Sequence, residues 1–361
     1  MNARSLEFII PGDLDAPTGG YGYDRRMITG LRALGWRVTL HSLDASFPDP
    51  TAAALEQSQT VFAQMADDAL VLVDGLALGA MPRVVQSHAA RLRLLALVHH
   101  PLAAETGLSA PRAQALLNSE RRALREVRHV IVTSAATRGA LSAYGVDQNR
   151  VSVVTPGTDP APLTHSPRGP TLKMLCVGAV THRKGHDVLC DALAQLPPRW
   201  QLTCVGSLAR SPHTVERLQA QQRRLGLDRQ ITMLGEVPDS TLAQCYRDAD
   251  LFILASRFEG YGMAVAEALA HGLPVISTRV GAIAELVGAA AGIVVAPDDA
   301  QMLAAALERV LTHPELLRNL ARGAASVRDS LPRWPESCAR LSAILEKDYR
   351  MRRMVVDDAV S

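Results

Sequence analysis

Leu251-Phe-Ile-Leu-Ala-Ser-Arg-Phe-Glu259-Gly-Tyr-Gly-Met-Ala-Val-Ala-Glu267-Ala-Leu-Ala-His-Gly-Leu-Pro274-Val-Ile-Ser277 reads as strand, short loop, helix, stop and second strand. Four apolar residues make the strand, and Gly272-Leu-Pro274 ends the helix because proline cannot continue one. Glu259 falls in the loop at the carboxyl end of the strand, where a carboxylate can reach a ligand's hydroxyls. Gly260 and Gly262 remove side chains where a backbone must come close to a ligand. The unpaired N–H groups that open the helix near Tyr261 can hold an anion. Glu267 follows eight residues after Glu259, about two turns into the helix, and can point back to the same region. Taken singly, Glu259 is a charge complementing a helix N-terminus and Glu267 a solvated helix residue. But Glu267 lies among Ala264, Val265, Ala266, Ala268 and Leu269, a costly place for an unpaired carboxylate. The pair, the glycines and the strand-helix setting together favour a binding site.

The same alternation extends in both directions. Leu6–Ile10, Arg37–His41, Ala69–Val73, Leu94–Val98, Val130–Thr133 and Val151–Thr155 are short apolar runs, with amphipathic segments such as Asp24–Leu34, Thr51–Met65 and Arg112–Val127 between them. A second series comprises Lys173–Val177, Gln201–Val205, Ile231–Leu234, Leu251–Leu254, Pro274–Ser277 and Ile293–Val295. Strands alternating with helices predict an α/β protein with right-handed crossovers and parallel, doubly wound sheets covered on both faces. Asp159-Pro-Ala-Pro-Leu-Thr-His-Ser-Pro-Arg-Gly-Pro170 separates the two series, and proline at that density breaks helix and ladder alike. The expected organisation is an N-terminal Rossmann-like domain over residues 1–160, a linker at 161–170, a second Rossmann-like domain over 171–333, and a terminal helix at 334–361 that crosses back to the first domain. A length of 361 residues suits two such cores, whose strand ends would face each other across a cleft.

Bulk properties exclude several classes. Thirty-eight basic residues against 36 acidic ones leave no global field for nucleic acid. The first ten residues lack the 7–15-residue apolar core of a signal peptide, and no stretch of about 18 apolar residues predicts a transmembrane helix. Cys176, Cys190, Cys204, Cys245 and Cys338 are odd in number, form no CxxC pair and read as reduced core cysteines of a cytoplasmic protein, not as disulfides or zinc ligands.

Three further segments carry chemistry. Leu175-Cys-Val-Gly178-Ala-Val-Thr-His-Arg183-Lys184-Gly185 ends a strand in a loop with two adjacent cations, which could neutralise a departing diphosphate, although such a pair is more often solvated surface. Pro17-Thr-Gly19-Gly20-Tyr-Gly22 gives flexible glycines before a helix, but Arg25 stands where a dinucleotide fingerprint needs its third glycine. Leu94-Leu-Ala-Leu-Val-His99-His100-Pro101 places a histidine after a strand, able to donate to a sugar hydroxyl or to serve as a structural residue.

Together these motifs resemble the retaining glycosyltransferases of GT-B fold defined by a Glu-x7-Glu motif, family four, or group 1. The likeness covers most of the chain, from Gly19 to about Trp334. It implies that Glu259 contacts the donor sugar hydroxyls and Glu267 the nucleotide ribose, while amides of Gly260, Tyr261 and Gly262 contact sugar and diphosphate. Lys184 matches the lysine of the family's Gly-Arg-x4-Lys-Gly diphosphate clamp. Ala179 departs from that motif's arginine, and whether Arg183 replaces it stays open. Gly19 and Gly20 belong to the loop that closes over the diphosphate, His99 matches a histidine that contacts the donor sugar, and Val237 lies in the loop that holds the base through backbone groups. Glu259, His99 and Lys184 are thus the catalytic candidates.

The function so implied is transfer of a sugar from a UDP- or GDP-sugar to a hydroxyl acceptor with retained configuration, without a metal or any cofactor beyond the co-substrate. The rivals are a catalytically silent nucleotide-sugar-binding protein, another GT-B enzyme such as an epimerase or phosphorylase, and a two-domain oxidoreductase that lacks its glycine fingerprint. Asp13-Leu-Asp15 and Asp248-Ala-Asp250 spell Asp-x-Asp, but the second reads as a helix cap, and no His/Asp group has ligand spacing along the chain. The acceptor, whether lipid, saccharide or small metabolite, is not encoded in a motif. Seven arginines against three acids from Ala110 to Arg150, with Leu116, Leu117 and Leu124 on one helix, allow two readings: a surface for the inner face of a membrane, or a helix with leucines packed inward.

Overall fold

The computed structural model describes residues 4–164 and 169–358, the side chains through Tyr349. Of the expected linker, residues 165–168 lie outside the described residues. The chain divides into two compact units, Met1–Gly157 with Pro332–Ser361, and Thr158–Leu331. No helix among the described residues is long and apolar enough to cross a membrane.

The first unit holds strands β1 (Arg4–Pro11), β2 (Trp36–Leu43), β3 (Leu70–Asp74), β4 (Arg93–Val98), β5 (His129–Val132) and β6 (Val151–Val153). Its helices are α1 (Gly19–Ala33), α2 (Ala52–Ala63), α3 (Gly75–Leu78), α4 (Pro82–His88), α5 (Ala110–Glu126) and α6 (Ala135–Ala140). The sheet is parallel in the order β2-β1-β3-β4-β5-β6. Every residue of β3 and β4 is buried, the signature of parallel strands covered on both faces. Buried Arg93 fits there because its guanidinium donates to the Asp68 and Asp348 carbonyls at 2.9 and 2.6 Å.

The second unit holds β7 (Leu172–Val177), β8 (Trp200–Val205), β9 (Ile231–Gly235), β10 (Leu251–Leu254), β11 (Val275–Thr278) and β12 (Gly292–Val295). Its helices are α7 (His186–Leu193), α8 (Pro212–Leu225), α9 (Asp239–Asp248), α10 (Met263–Ala270), α11 (Ile283–Val287), α12 (Ala300–Thr312) and α13 (Pro314–Val327). The strand order is β12-β11-β10-β7-β8-β9, again all parallel. Two doubly wound α/β sheets are therefore present, the architecture of GT-B proteins.

The last helix, α14 (Trp334–Asp358), belongs to the first unit. Trp36 Nε1 donates to Ser342 Oγ at 2.9 Å, the Trp36 and Tyr349 rings meet edge to face, and Arg4 pairs with Glu346. Gly30 admits this helix: a side chain there would collide with Cys338.

Two local expectations need correction. Gly19 and Gly20 are not a flexible loop before a helix but the first two residues of α1. Thr18 caps that helix, its hydroxyl accepting from the Tyr21 N–H at 3.2 Å, and the Tyr21 hydroxyl is tied to the Pro11 carbonyl at 2.5 Å. Capping and tertiary contact thus override the low helix propensity of glycine. Likewise α10 starts at Met263, so Glu267 is its fifth residue, just over one turn in rather than two.

Candidate active site

In the second sheet the winding reverses between β7 and β10, neighbours whose connections run to opposite sides. Loops leaving the carboxyl ends of such strands diverge and leave a crevice between them, the place where open α/β sheets take ligands. The loop after β7 carries Arg183 and Lys184, and the loop after β10 carries Glu259.

These loops meet through charge. Lys184 Nζ donates to Glu259 Oε1 at 2.6 Å, and Ser256 Oγ donates to the same oxygen at 2.7 Å. Arg183 lies 3.6 Å from Glu259 Oε2. Burial works to raise the Glu259 pKa, but the cations of Lys184 and Arg183 outweigh it and hold the carboxyl below its usual value. Glu259 is therefore an ionised acceptor in a sparsely hydrated place, with an ammonium already beside it.

Arg257 fastens the two loops. Its guanidinium forks onto Asp187 with two 2.8 Å bonds and donates to Asp298 at 2.6 Å. Its N–H donates to the Arg183 carbonyl at 2.8 Å, and Arg183 returns a 3.2 Å bond to the Phe258 carbonyl. Gly185 permits the close approach: its φ of +64° is left-handed, and a Cβ would strike the Ala255 carbonyl oxygen. At Gly281, φ +53°, a Cβ would strike the Glu259 carbonyl oxygen, so the Gly281-Ala-Ile-Ala-Glu285 turn supports the glutamate from beneath.

Gly260, Tyr261 and Gly262 lead into α10, with Gly262 at its N-cap. The Tyr261 ring is buried and its hydroxyl has no hydrogen-bond partner; burial, with Glu285 nearby, pushes it up to about 12. Glu267 is half-buried, and burial raises its pKa above the usual value. Tyr246 donates its hydroxyl to Glu267 Oε2 at 2.8 Å, and its own ring stacks on His271 with centroids 4.9 Å apart. That bond fixes one carboxylate oxygen; an ionised carboxylate keeps acceptor capacity at the other. Val237 lies half-buried beyond β9, two strands from β7, in the turn into α9.

In the first unit His99 stands at the end of β4, with Nε2 3.2 Å from Asp24 Oδ1 and 3.4 Å from Asp74 Oδ2. Burial opposes the imidazolium, but Asp24 and Asp74 outweigh it and push His99 up to about 10. Burial also pushes Asp24 up to about 6 against the pull of His99. The imidazole is thus a charged donor at neutral pH. Gly20 brings α1 against this ring, since a Cβ there would lie 3.4 Å from His99 Cδ2. His100 points elsewhere, 3.6 Å from Glu105.

Asp24, Asp74, Tyr246, Ser256 and Arg257 are residues that sequence reasoning missed. Asp24 carried a signal, because it sits in the buried stripe of α1 with Met27, Ile28 and Leu31. Nor is Asp250 a helix cap: its Oδ2 accepts the Lys173 N–H at 2.9 Å, which ties β10 to β7. The leucines of α5 face inward, Leu116 and Leu124 buried and Leu117 half-buried, while Arg122 and Arg125 are exposed and Arg112 and Arg121 half-buried. Spacing along the chain also hid two trios gathered by the fold, Asp24-Asp74-His99 and Cys176-His186-Cys204, each with one polar or sulfur atom per residue within 4.8 Å of the others.

Residues 25–162 match the model described as Glycosyltransferase Family 4, and residues 165–327 match Glycosyl transferases group 1. The chain belongs to the family four, group 1 glycosyltransferases. Within this family the chain is similar to the lipopolysaccharide core biosynthesis mannosyltransferase LpsB of Rhizobium meliloti (strain 1021), at 36% identity over 42% of this chain and 44% of that protein. It spans about half the length of the curated relatives it matches first. Two solved glycosyltransferase folds resemble it throughout. The sucrose-phosphate synthase of Thermosynechococcus elongatus has a TM-score of 0.81 at 21% identity, covering 96% of this chain and 100% of that one. Anabaena Alr3699/HepE, in complex with UDP and glucose, has a TM-score of 0.76 at 20% identity, covering 95% and 100%. At those identities the two structures speak for the fold alone.

Proposed function

We propose that this glycosyltransferase-family chain transfers a hexosyl group from a UDP- or GDP-sugar to a hydroxyl acceptor, with retention of anomeric configuration and without a divalent metal at the diphosphate. The observation that carries the reading is the buried Lys184–Glu259–Ser256 cluster at the switch point of the second sheet. Glu259, kept ionised, accepts from the donor sugar's hydroxyls. Lys184, with Arg183 beside it, meets the negative charge that grows on the leaving diphosphate, together with amides of Gly260, Tyr261 and Gly262. In this reading Arg183 takes over from the arginine absent at Ala179, a role supported by its place beside Glu259 and Lys184. Glu267, steadied by Tyr246, takes the ribose, and Val237 belongs to the turn assigned to the base. His99 is the residue of the first unit assigned to the donor sugar, and its positive charge suits an oxygen acceptor.

In a front-face substitution the bond from the anomeric carbon to the diphosphate breaks first, giving a short-lived ion pair. The acceptor oxygen then attacks from the same face, and its proton passes to the departing phosphate oxygen. No protein nucleophile is needed. Gly19 and Gly20, at the start of α1, offer N–H groups to the diphosphate in this reading. The acceptor is a saccharide, a lipid or a small metabolite, met in the cytoplasm or at the inner face of the membrane. A mannosyl donor is the first to try, since LpsB is named a mannosyltransferase.

The test is acceptor-dependent release of nucleoside diphosphate from UDP- and GDP-hexoses in chelator, followed by proton NMR of the anomeric centre. An α-linked product from an α-linked donor supports the reading. Inverted product, or turnover that needs a divalent metal, would refute it.

A further inference from the structure

Three of the five cysteines and one histidine converge inside the second unit, in the core beneath the loop that carries Lys184. Cys176 on β7 and Cys204 on β8 are direct partners in the parallel ladder. Paired residues of neighbouring strands point to the same face, so both thiols leave the sheet together. On that side α7 presents His186 and, four residues later, Cys190. Residues so spaced on a helix share a face. His186 Nε2 lies 3.7 Å from Cys176 Sγ, and the ligand atoms of Cys176, His186 and Cys204 all fall within 4.8 Å of one another. The Cys190 thiol is near enough to interact electrostatically with both other sulfurs.

This group is expensive as mere core filling. All four side chains are buried, His186 4% exposed, and its Nδ1 has no hydrogen-bond partner among the described residues. A buried imidazole whose described side-chain neighbour is a weakly bonding sulfur is less favourable than an apolar residue of similar size. The spacing suits a different task. Metal–sulfur bonds of about 2.3 Å and metal–nitrogen bonds of about 2.0 Å in a tetrahedral site place neighbouring ligand atoms about 3.5–3.8 Å apart. The Cys176–His186 separation of 3.7 Å falls in that range, and no pair of the trio exceeds 4.8 Å.

We propose that Cys176, Cys204, His186 and Cys190 form a binding site for one thiophilic d10 cation, of the zinc or cadmium class. Cys176, Cys204 and His186 supply three ligands, and Cys190 completes a tetrahedron by a change of its side-chain rotamer. Binding displaces the thiol protons to solvent as each sulfur becomes a thiolate ligand. Its donors are soft and buried, which favours such an ion over magnesium or calcium. The site brackets the β7–α7 loop, with Cys176 two residues before Gly178 and His186 two after Lys184, so an ion joins the two ends of the loop that carries the donor-site cations.

The experiment is titration of the fully reduced, full-length chain with cadmium chloride. Ultraviolet charge-transfer absorption and elemental analysis after desalting report the binding. One ion per chain with a sulfur-to-metal band is expected. Cys176→Ser and Cys204→Ser should lose the band, while Cys245→Ser and Cys338→Ser retain it. X-ray absorption of the loaded wild-type chain keeps the claim open to refutation even where a core variant fails to fold; it should show two or three sulfurs and one nitrogen. A wild-type chain that holds no cadmium after desalting would overturn the proposal. So would a first shell without sulfur, or a band that survives in both Cys176→Ser and Cys204→Ser. The outcome is independent of nucleotide-sugar turnover.

Discussion

Glu259 and Glu267 share one motif yet sit in opposite electrostatic settings. Two cations hold Glu259 ionised, whereas burial raises Glu267 and a phenol steadies it. Glu259→Gln keeps the shape but removes the charge that accepts sugar hydroxyls. It should lower kcat about 100-fold with a small change in nucleoside diphosphate affinity, read by steady-state kinetics and calorimetry. Tyr246→Phe should leave turnover at saturation nearly intact and weaken nucleoside diphosphate binding about tenfold, the lower end of the worth of one hydrogen bond to an anion. An unchanged Kd in Tyr246→Phe would remove Tyr246 from the site. The glutamates were legible because one continuous segment holds both, Glu259 beside glycines and Glu267 among apolar residues where a carboxylate is costly. Tyr246 and Asp24 were not, since each works through a partner 21 or 75 residues away that only folding brings near.

At the scale of elements, the loops after β7 and β10 act as one body because Arg257 grips both. Arg257→Ala should lower stability by about 1–2 kcal/mol in urea unfolding, kept small because Asp187 and Asp298 are partly exposed, and it should raise KM for the donor. Gly185→Ala forces a side chain into a left-handed turn and against the Ala255 carbonyl, so a loss of about 1–3 kcal/mol is expected with the same KM effect. A donor KM unchanged in both variants would separate this loop junction from binding. The strands themselves were easy to read, because parallel strands covered on both faces are runs of apolar residues. Helix starts were harder: Thr18 caps α1 five residues before the apolar stripe begins, and the glycines between conceal it.

At the scale of the whole molecule, one buried carboxylate sets a pH response. Burial pushes Glu120 up to about 8 from an ordinary 4.5, although it accepts from the Leu102 N–H and interacts with Tyr144. The folded state binds this proton more tightly than the unfolded state, so its contribution is fully present below about pH 4.5 and is lost as pH rises through about 8. Glu120→Gln should flatten that fall, which amounts to a few kcal/mol on the order of magnitude, in urea midpoints compared between mildly acidic and mildly alkaline buffers. Equal slopes for both proteins would show that Glu120 ionises freely. Such a residue is invisible in sequence, where it is one polar position of an amphipathic helix. The most direct test of the central claim is calorimetric titration of UDP and GDP into the chain in the presence of chelator, repeated with Lys184→Ala and Glu267→Ala. One metal-independent site is expected for at least one of the two nucleotides, weakened tenfold or more, about 1.4 kcal/mol, in each variant. Absence of binding to both, or affinity unchanged in both variants, would contradict it.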